Sequence, residues 1–337
     1  MNPIADFIAD LGATHVSTYL VLFLAASGLM IWRLEALLKH GLDGTALGTL
    51  VMPYCSGLGN LLFVAIIVRR GGPTQDVVTN CLVNNVTNLT LLLGLPAIVW
   101  GLSLRGKPST SKKRPSRGRA ENVTQQLNRL SLLLSLAAVL FFGGVTWAVG
   151  SDGTIDRQDG LVLIALFLFW QCFQVFDVLK HNVRERRSFG VLFYVDLMVV
   201  LAGAYALYVS IDWLVTWLLS QENGFVSAEN LGWLSGWLMV LPNALLACYY
   251  AAKHRADIVY ASQVGDGHIC IPLSIGLAAV FQPVTVPAFF ELGLAVMLGA
   301  TLVHVFALLV VSGLPRWMGW PLAAAYGWFV SAGLFQT

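Results

Sequence analysis

Charge is what this sequence has least of. Only 11% of its 337 residues are Asp, Glu, Lys or Arg, where a soluble domain carries about 25%. That deficit excludes a soluble globular enzyme, and it excludes a disordered chain, which needs high charge and few apolar residues. The net charge of +2 is too small to recruit nucleic acid or another polyanion. Cysteine is sparse as well. Cys55, Cys81, Cys172, Cys248 and Cys270 are odd in number, lie in apolar stretches and form no C-x-x-C pair, so neither a disulfide framework nor a zinc site is indicated. The patterns H-E-x-x-H and G-x-S-x-G are missing. This argues against an intramembrane enzyme. The first 15 residues hold Asp6 and Asp10 but no Lys or Arg, the opposite of a basic signal-peptide start.

What is abundant is apolar: 57% of the chain is hydrophobic, with 18 Phe and 11 Trp. This is the composition of an all-α, polytopic membrane protein. A span needs about 20 apolar residues. Ten stretches qualify, at roughly 17–38, 45–68, 76–103, 127–149, 159–180, 189–219, 230–252, 257–281, 284–312 and 317–335. Trp213, Trp217, Trp233, Trp237, Trp317, Trp320 and Trp328 fall near span ends, as an interfacial belt does.

Orientation follows from Lys and Arg. The loop 105–126 is Pro/Ser-rich and basic, and the linker 181–188 carries Arg184, Arg186 and Arg187. Placing both in the cytoplasm puts 17 of the 20 basic residues inside and leaves only Arg69, Arg70 and Arg157 outside. Both termini then lie outside the cytoplasm. The short loops fit a bacterial inner membrane. The Asn-x-Thr sites at Asn85, Asn88 and Asn122 fall in a span or on the inner side, so glycosylation is not expected.

The chain repeats itself. Leu58-Gly-Asn60 leads through a turn at Arg69-Arg70 and Asp76 to Asn84-Asn-Val-Thr-Asn88 and Leu93-Gly-Leu95. Leu241-Pro-Asn243 leads through a turn at Lys253-His-Arg255 and Asp257 to Gly265-Asp-Gly-His-Ile-Cys270 and Ile275-Gly-Leu277. The offsets are 183 residues from Asn60 to Asn243, 181 from Asp76 to Asp257 and 182 from Gly94 to Gly276. One turn falls outside and the other inside, so the units are inverted. Two five-helix halves result: 1–104 with 127–180, around the motif 53–95, and 189–337, around the motif 238–277. Inverted repeats with interrupted polar segments mark secondary transporters, with the site near the midplane. Such a polar segment is tolerated in lipid only when buried in protein or lining a cavity.

This arrangement resembles the calcium/cation antiporter superfamily, the sodium/calcium exchangers. The resemblance implies ten spans in two inverted halves and a secondary active transporter. Such a carrier exchanges a cation, Ca²⁺ or a monovalent one, against Na⁺ or H⁺ by alternating access. It also implies that Ser56-Gly-Leu-Gly-Asn60 and Val240-Leu-Pro-Asn243 stand where the family carries Pro-Glu segments. Asn84 or Asn85, together with Asn88, would supply amides, with Ser56 a hydroxyl nearby. The family's two glutamates are Asn60 and Asn243 here, Asp266 stands where the family has Ser, and Cys270 stands where Asn or Asp is expected.

The residues themselves narrow the chemistry. A carboxylate at the bilayer centre costs at least about 2.5–3.5 kcal/mol, so Asp266 is a functional candidate by default. Gly265 and Gly267 flank it and Pro272 follows, which suits a broken helix. Gln263, three residues earlier, shares its face and serves as a supporting donor. His268 is about 200° round an ideal helix from Asp266. It reads either as a proton relay or ligand, or as an interhelical hydrogen-bonding residue. His304 is a lone structural histidine. The cation site is therefore expected from Asn60, Asn84, Asn85, Asn88, Asn243, Asp266 and His268, supported by Ser56, Gln263 and Cys270. Its metal-contacting core is Asp266, Asn60 and Asn243. Calcium takes about 6–8 oxygen ligands and favours several carboxylates, so one carboxylate among amides suits a monovalent cation or a proton better. No cofactor is expected. Membrane lipid and a small inorganic cation are the expected partners. The alternative is an antiporter-derived protein that carries no metal ion and binds or moves a lipid or organic solute.

Overall fold

A computed structural model describes residues 16–39, 52–104, 115–182 and 191–335. The core of the basic loop, most of the 181–188 linker and both chain ends lie outside the described residues. The apolar runs fold as helices because a backbone in lipid must satisfy its polar groups internally. In order these are α1 (Val16–Lys39), α2 (Met52–Arg70), α3 (Gln75–Leu89), α4 (Leu91–Trp100), α5 (Pro115–Gly150) and α6 (Arg157–Asn182). They continue as α7 (Val191–Leu219), α8 (Leu231–Ala252), α9 (Ala256–Ile269), α10 (Ile275–Phe281), α11 (Phe290–Val310) and α12 (Arg316–Phe335). Eight helical segments among the described residues are long and apolar enough to cross a membrane. The helices at the second and tenth expected spans are outside those eight: Gly57, Gly59, Asn60 and two terminal arginines dilute α2, and Arg316, Gly319 and Pro321 dilute α12.

Two of the rods are interrupted. Thr90 separates α3 from α4, and its hydroxyl turns back to the carbonyl of Val86 at 2.5 Å. Pro96 sits inside α4. Between α9 and α10 lies one π-helical turn, Cys270–Ser274, containing Pro272. Proline removes a backbone donor and crowds the preceding turn, and π-turns of this kind recur at functional sites. The carbonyl of Leu89, at the first break, accepts a hydrogen bond from Nε2 of His304 at 2.7 Å. Nδ1 of that ring faces the Tyr260 hydroxyl at 3.3 Å. His304 therefore repairs a helix break and is structural.

The packing pairs are reciprocal. Helix α8 lies on α3 and α2 lies on α9. Likewise α12 lies on α4, and α10 lies on α6. The last two contacts are glycine-to-backbone. A Cβ on Gly94 would sit 3.1 Å from the Gly319 carbonyl oxygen, and one on Gly160 would sit 2.7 Å from that of Gly276. Small residues are what let helix backbones approach in lipid, where no hydrophobic force drives them together. Two short antiparallel ribbons follow the same exchange. β1 (Leu102–Ser103) pairs with β4 (Gly313–Leu314), and β2 (Thr154–Ile155) pairs with β3 (Val284–Thr285).

Polarity is inverted relative to a soluble protein. Phe169, Phe176, Val191 and Leu192 are exposed on α6 and α7, while every residue from Val77 to Leu89 on α3 is buried. Helix α7 runs unbroken for 29 residues and packs on α1. Arg33 of α1 reaches Asp196 at 3.0 Å, and Arg69 and Arg70 both reach Asp212. The tryptophans divide. Trp317, Trp320 and Trp328 are exposed at the surface, whereas Trp233 is buried against Phe289 and Phe329. Trp233 is thus a core residue rather than part of a belt.

Candidate functional site

The two interrupted rods cross beside α2 and α8, and the polar residues of all four meet there. On α3, Asn80, Asn84 and Asn88 recur every four residues, so they line one face. In lipid such amides are stable only if turned inward to partners. On α2, Gly57 and Gly59 clear the way. A Cβ at Gly57 would lie 3.2 Å from Oδ1 of Asp266, and one at Gly59 only 2.6 Å from the Met239 sulfur.

Asn88 is the hub. Its Nδ2 donates to Oδ1 of Asn84 at 2.8 Å and to Oδ2 of Asp266 at 2.8 Å. Asn84 in turn donates to Oδ1 of Asn60 at 3.3 Å. Asn243 donates to Asp266 Oδ2 at 3.2 Å and, more weakly, to Asn88 Oδ1 at 3.4 Å. Gln263 donates to the backbone carbonyl of Asn243 at 3.2 Å and to the Ser262 hydroxyl at 3.0 Å. Asn60, Asn84, Asn88, Asn243, Gln263 and Asp266 are all 0% exposed. One carboxylate is thus held inside the protein by amides from α3 and α8. Oδ1 of Asn243, Oε1 of Gln263 and Nδ2 of Asn60 have no hydrogen-bonding partner among the described residues. Two of these three are oxygens, and oxygen is what a hard cation requires.

Three expected site residues stand apart from this cluster. Asn85 is one residue off the Asn80–Asn84–Asn88 face. Its Nδ2 is tied to the Cys81 carbonyl at 2.7 Å, and its Oδ1 lies against Gly267. Cys270 joins that second layer, its thiol in hydrogen-bonding contact with Cys81 and Asn85. Cys81 and Cys270 are both buried free thiols. His268 points the other way, as the 200° separation predicts. Its Nε2 donates to the Ser135 carbonyl at 2.9 Å, and its ring lies edge-on to Trp170 and Phe142 at 5.1 and 5.8 Å. It reaches α5 and α6 rather than Asp266, so the helix that carries both residues separates them. The Ser56 side chain lies outside the described residues.

Asn80 extends the network beyond expectation. Its Nδ2 donates to the Ser235 hydroxyl at 3.0 Å, bonding α3 to α8 one turn from Asn84. The i−4 spacing from Asn84 was the available signal. Between these turns, a Cβ on Gly236 would sit 2.8 Å from that of Val83, so α3 and α8 are in near backbone contact. Among the described residues, no group of three His, Cys, Asp or Glu converges as a metal cluster.

The described geometry has counterparts. A family profile described as sodium/calcium exchanger protein matches residues 14–176. Among solved structures, the sodium-calcium exchanger NCX_Mj soaked with 2.5 mM Na⁺ and 10 mM Sr²⁺ is similar with a TM-score of 0.68. That match is 18% identical and covers 96% of this chain and 98% of the other. NCX_Mj soaked with 2.5 mM Na⁺ and 0.1 mM Ca²⁺ matches at 19% identity and TM-score 0.63, covering 93% of this chain and 95% of that one. The same exchanger soaked with zero Na⁺ and Ca²⁺ matches at 18% identity and TM-score 0.63, over 93% and 96%. No curated protein sequence matches significantly. The profile covers the half that contributes Asn60, Asn84 and Asn88, and the fold likeness extends across the half that contributes Asn243 and Asp266. By both, residues 14–176 resemble the sodium/calcium exchanger proteins in sequence, and the chain as a whole shares the fold of NCX_Mj.

Proposed function

We propose that the chain is a secondary active transporter that exchanges cations by alternating access at the Asp266 cluster. The carrying observation is one fully buried carboxylate, held by amides from α3 and α8, at the crossing of two interrupted helices. A retained intramembrane charge needs a reason, and a cation passing between the halves supplies one. The halves are ten transmembrane helices in two inverted five-helix repeats, 1–180 and 189–337. Their reciprocal packing supports this: α4 on α12 matches α10 on α6, and ribbon β1–β4 matches ribbon β3–β2. The basic loops face the cytoplasm by charge asymmetry, in a bacterial inner membrane with both termini outside.

Within this reading Asp266 neutralises the cation, and Asn243, Gln263 and Asn60 stand closest to it in role. Asn84 and Asn88 hold the carboxylate in place. Asn85 and Cys270 form the neighbouring layer, and His268 is a packing residue. The second reading, a carrier or binder of a lipid or organic solute without a metal ion, is favoured by one feature only: Asn60 and Asn243 where the related family has glutamates. The test is labelled-cation uptake into sealed proteoliposomes against an outward Na⁺ gradient, with Asp266→Asn alongside. Uptake that Asp266→Asn abolishes while remaining folded is the expected result. Wild-type uptake by that variant would sink the proposal, and a melting temperature indifferent to every cation would favour the second reading.

A further inference from the structure

The charge balance of the cluster names the class of cargo. This inference rests on the antiport reading and sharpens it. The hydrogen-bonded cluster contains one carboxylate, Asp266, and its other members are amides. The described residues offer no second His, Cys, Asp or Glu pair that converges with it as a metal cluster. Asn243 places an amide nitrogen 3.2 Å from Oδ2 of Asp266, and Asn88 places another 2.8 Å from it. Asn60 joins the cluster through Asn84. The groups bonded to the carboxylate are thus neutral.

Two oxygens point to an ion all the same. Asn243 Oδ1 and Gln263 Oε1 are fully buried and accept no hydrogen bond from the described residues. Buried acceptors are rarely left so. They belong to α8 and α9, the helices that also carry the donor Asn243 and the carboxylate. A carboxylate flanked by neutral amide oxygens is a ligand set for a hard cation.

We propose that the cargo is a single monovalent cation, bound by the Asp266 carboxylate with the amide oxygens of Asn243 and Gln263, and that Ca²⁺ is not carried. With a monovalent ion the buried site is neutral. With a divalent ion it keeps one net positive charge out of water, and such a charge is costly unless paired. Calcium also gains affinity with each carboxylate and seeks about 6–8 oxygens. One ion moves per cycle because one charge is there to balance it.

The experiment is same-ion exchange in liposomes carrying the purified full chain. External ²²Na⁺, ⁸⁶Rb⁺ or ⁴⁵Ca²⁺ is traded against the same unlabelled ion inside. The expected result is that at least one monovalent ion exchanges, with ⁴⁵Ca²⁺ at the level of protein-free vesicles and more than tenfold slower. Calcium exchange at a tenth or more of the faster monovalent rate overturns the inference and leaves antiport standing. No exchange of any ion by folded protein in sealed vesicles overturns antiport itself. Asn243→Asp restores a second carboxylate, so ⁴⁵Ca²⁺ exchange is expected to rise at least tenfold while monovalent exchange falls. Asn60→Asp is the substitute where Asn243→Asp does not fold. A folded carboxylate variant with calcium exchange still at background counts against the charge argument.

Discussion

Whether Asp266 is charged in the resting protein is decided by its bond to Asn88. The perturbation is a double-mutant cycle of Asn88→Ala with Asp266→Asn. Asn88 Nδ2 lies 2.8 Å from Oδ2 of Asp266, and both side chains are fully buried. A hydrogen bond to a charged group contributes about 1.5–3 kcal/mol net, and a neutral one about 0.5–1.5 kcal/mol. Asn at 266 keeps the shape and a neutral acceptor, so the cycle isolates the charged increment, roughly 1–1.5 kcal/mol. Asn88→Ala also loses its bond to Asn84, but that loss is common to both backgrounds and cancels. Asn88→Ala is therefore expected to cost about 1–1.5 kcal/mol more beside Asp266 than beside Asn, several-fold above the error of about 0.3–0.5 kcal/mol in additivity. The assay is reversible unfolding by SDS titration in bicelles. A neutral interhelical bond in a membrane protein couples by only about 0.6 kcal/mol on average. A coupling near zero would mean that Asp266 is held protonated as ordinary helix glue. That result would refute a carboxylate standing ready for a cation.

Three further outcomes follow from other contacts. Gly236→Ala puts a Cβ 2.8 Å from that of Val83 and 3.0 Å from the Asn80 carbonyl; it is expected to destabilise by about 1–3 kcal/mol through overpacking, while Gly28→Ala, with nothing within 4 Å, stays within about 0.5 kcal/mol, both read by the same titration. His268→Phe keeps the ring among Phe142 and Trp170, so cation exchange in proteoliposomes is expected to stay within about threefold of wild type, the size of an ordinary context effect away from a site. Asp156 caps α6: its carboxylate accepts from the backbone N–H of Asp159 and of Gln158, at 3.0 and 2.7 Å, and Asp159 reciprocates to its N–H. These bonds, that from Asp159 foremost, hold the Asp156 carboxyl below the usual carboxylate range. A depressed folded value means the stabilisation is present above the ordinary carboxylate range and is lost as pH falls through it. Wild type is therefore expected to melt above Asp156→Ala at neutral pH, with the gap closing on acidification.

Several members of the buried polar cluster were legible along the chain and others were not, for identifiable reasons. Asn60, Asn84, Asn88, Asn243 and Asp266 were readable because polar residues in apolar runs need partners, and their repeated spacing paired them across the halves. Asn80 carried the same signal, four residues before Asn84. Asn85 read like Asn84 in sequence. One residue of offset turns a side chain about 100°, and that rotation put it with Cys81 and Cys270 instead. His268 was ambiguous because a helix break between it and Asp266 would have changed its direction. The break lies after it, at Cys270–Ser274, so the two stay on opposite faces.

Composition by itself determined that the chain is helical and lives in a membrane, because a low-charge, apolar backbone has no other way to satisfy its hydrogen bonds there. The spacing of Gly, Pro, Asn and Asp also determined where the helices weaken and which residues would look for partners. It did not determine which partners. The bond from Asn88 to Asp266 joins residues 178 positions apart, and the ring around His268 assembles from α5 and α6. The glycine contacts that seat α4 on α12 and α10 on α6 likewise join residues far apart in the chain. Helix period fixes the direction of a side chain about its own axis, and only packing fixes what stands in that direction.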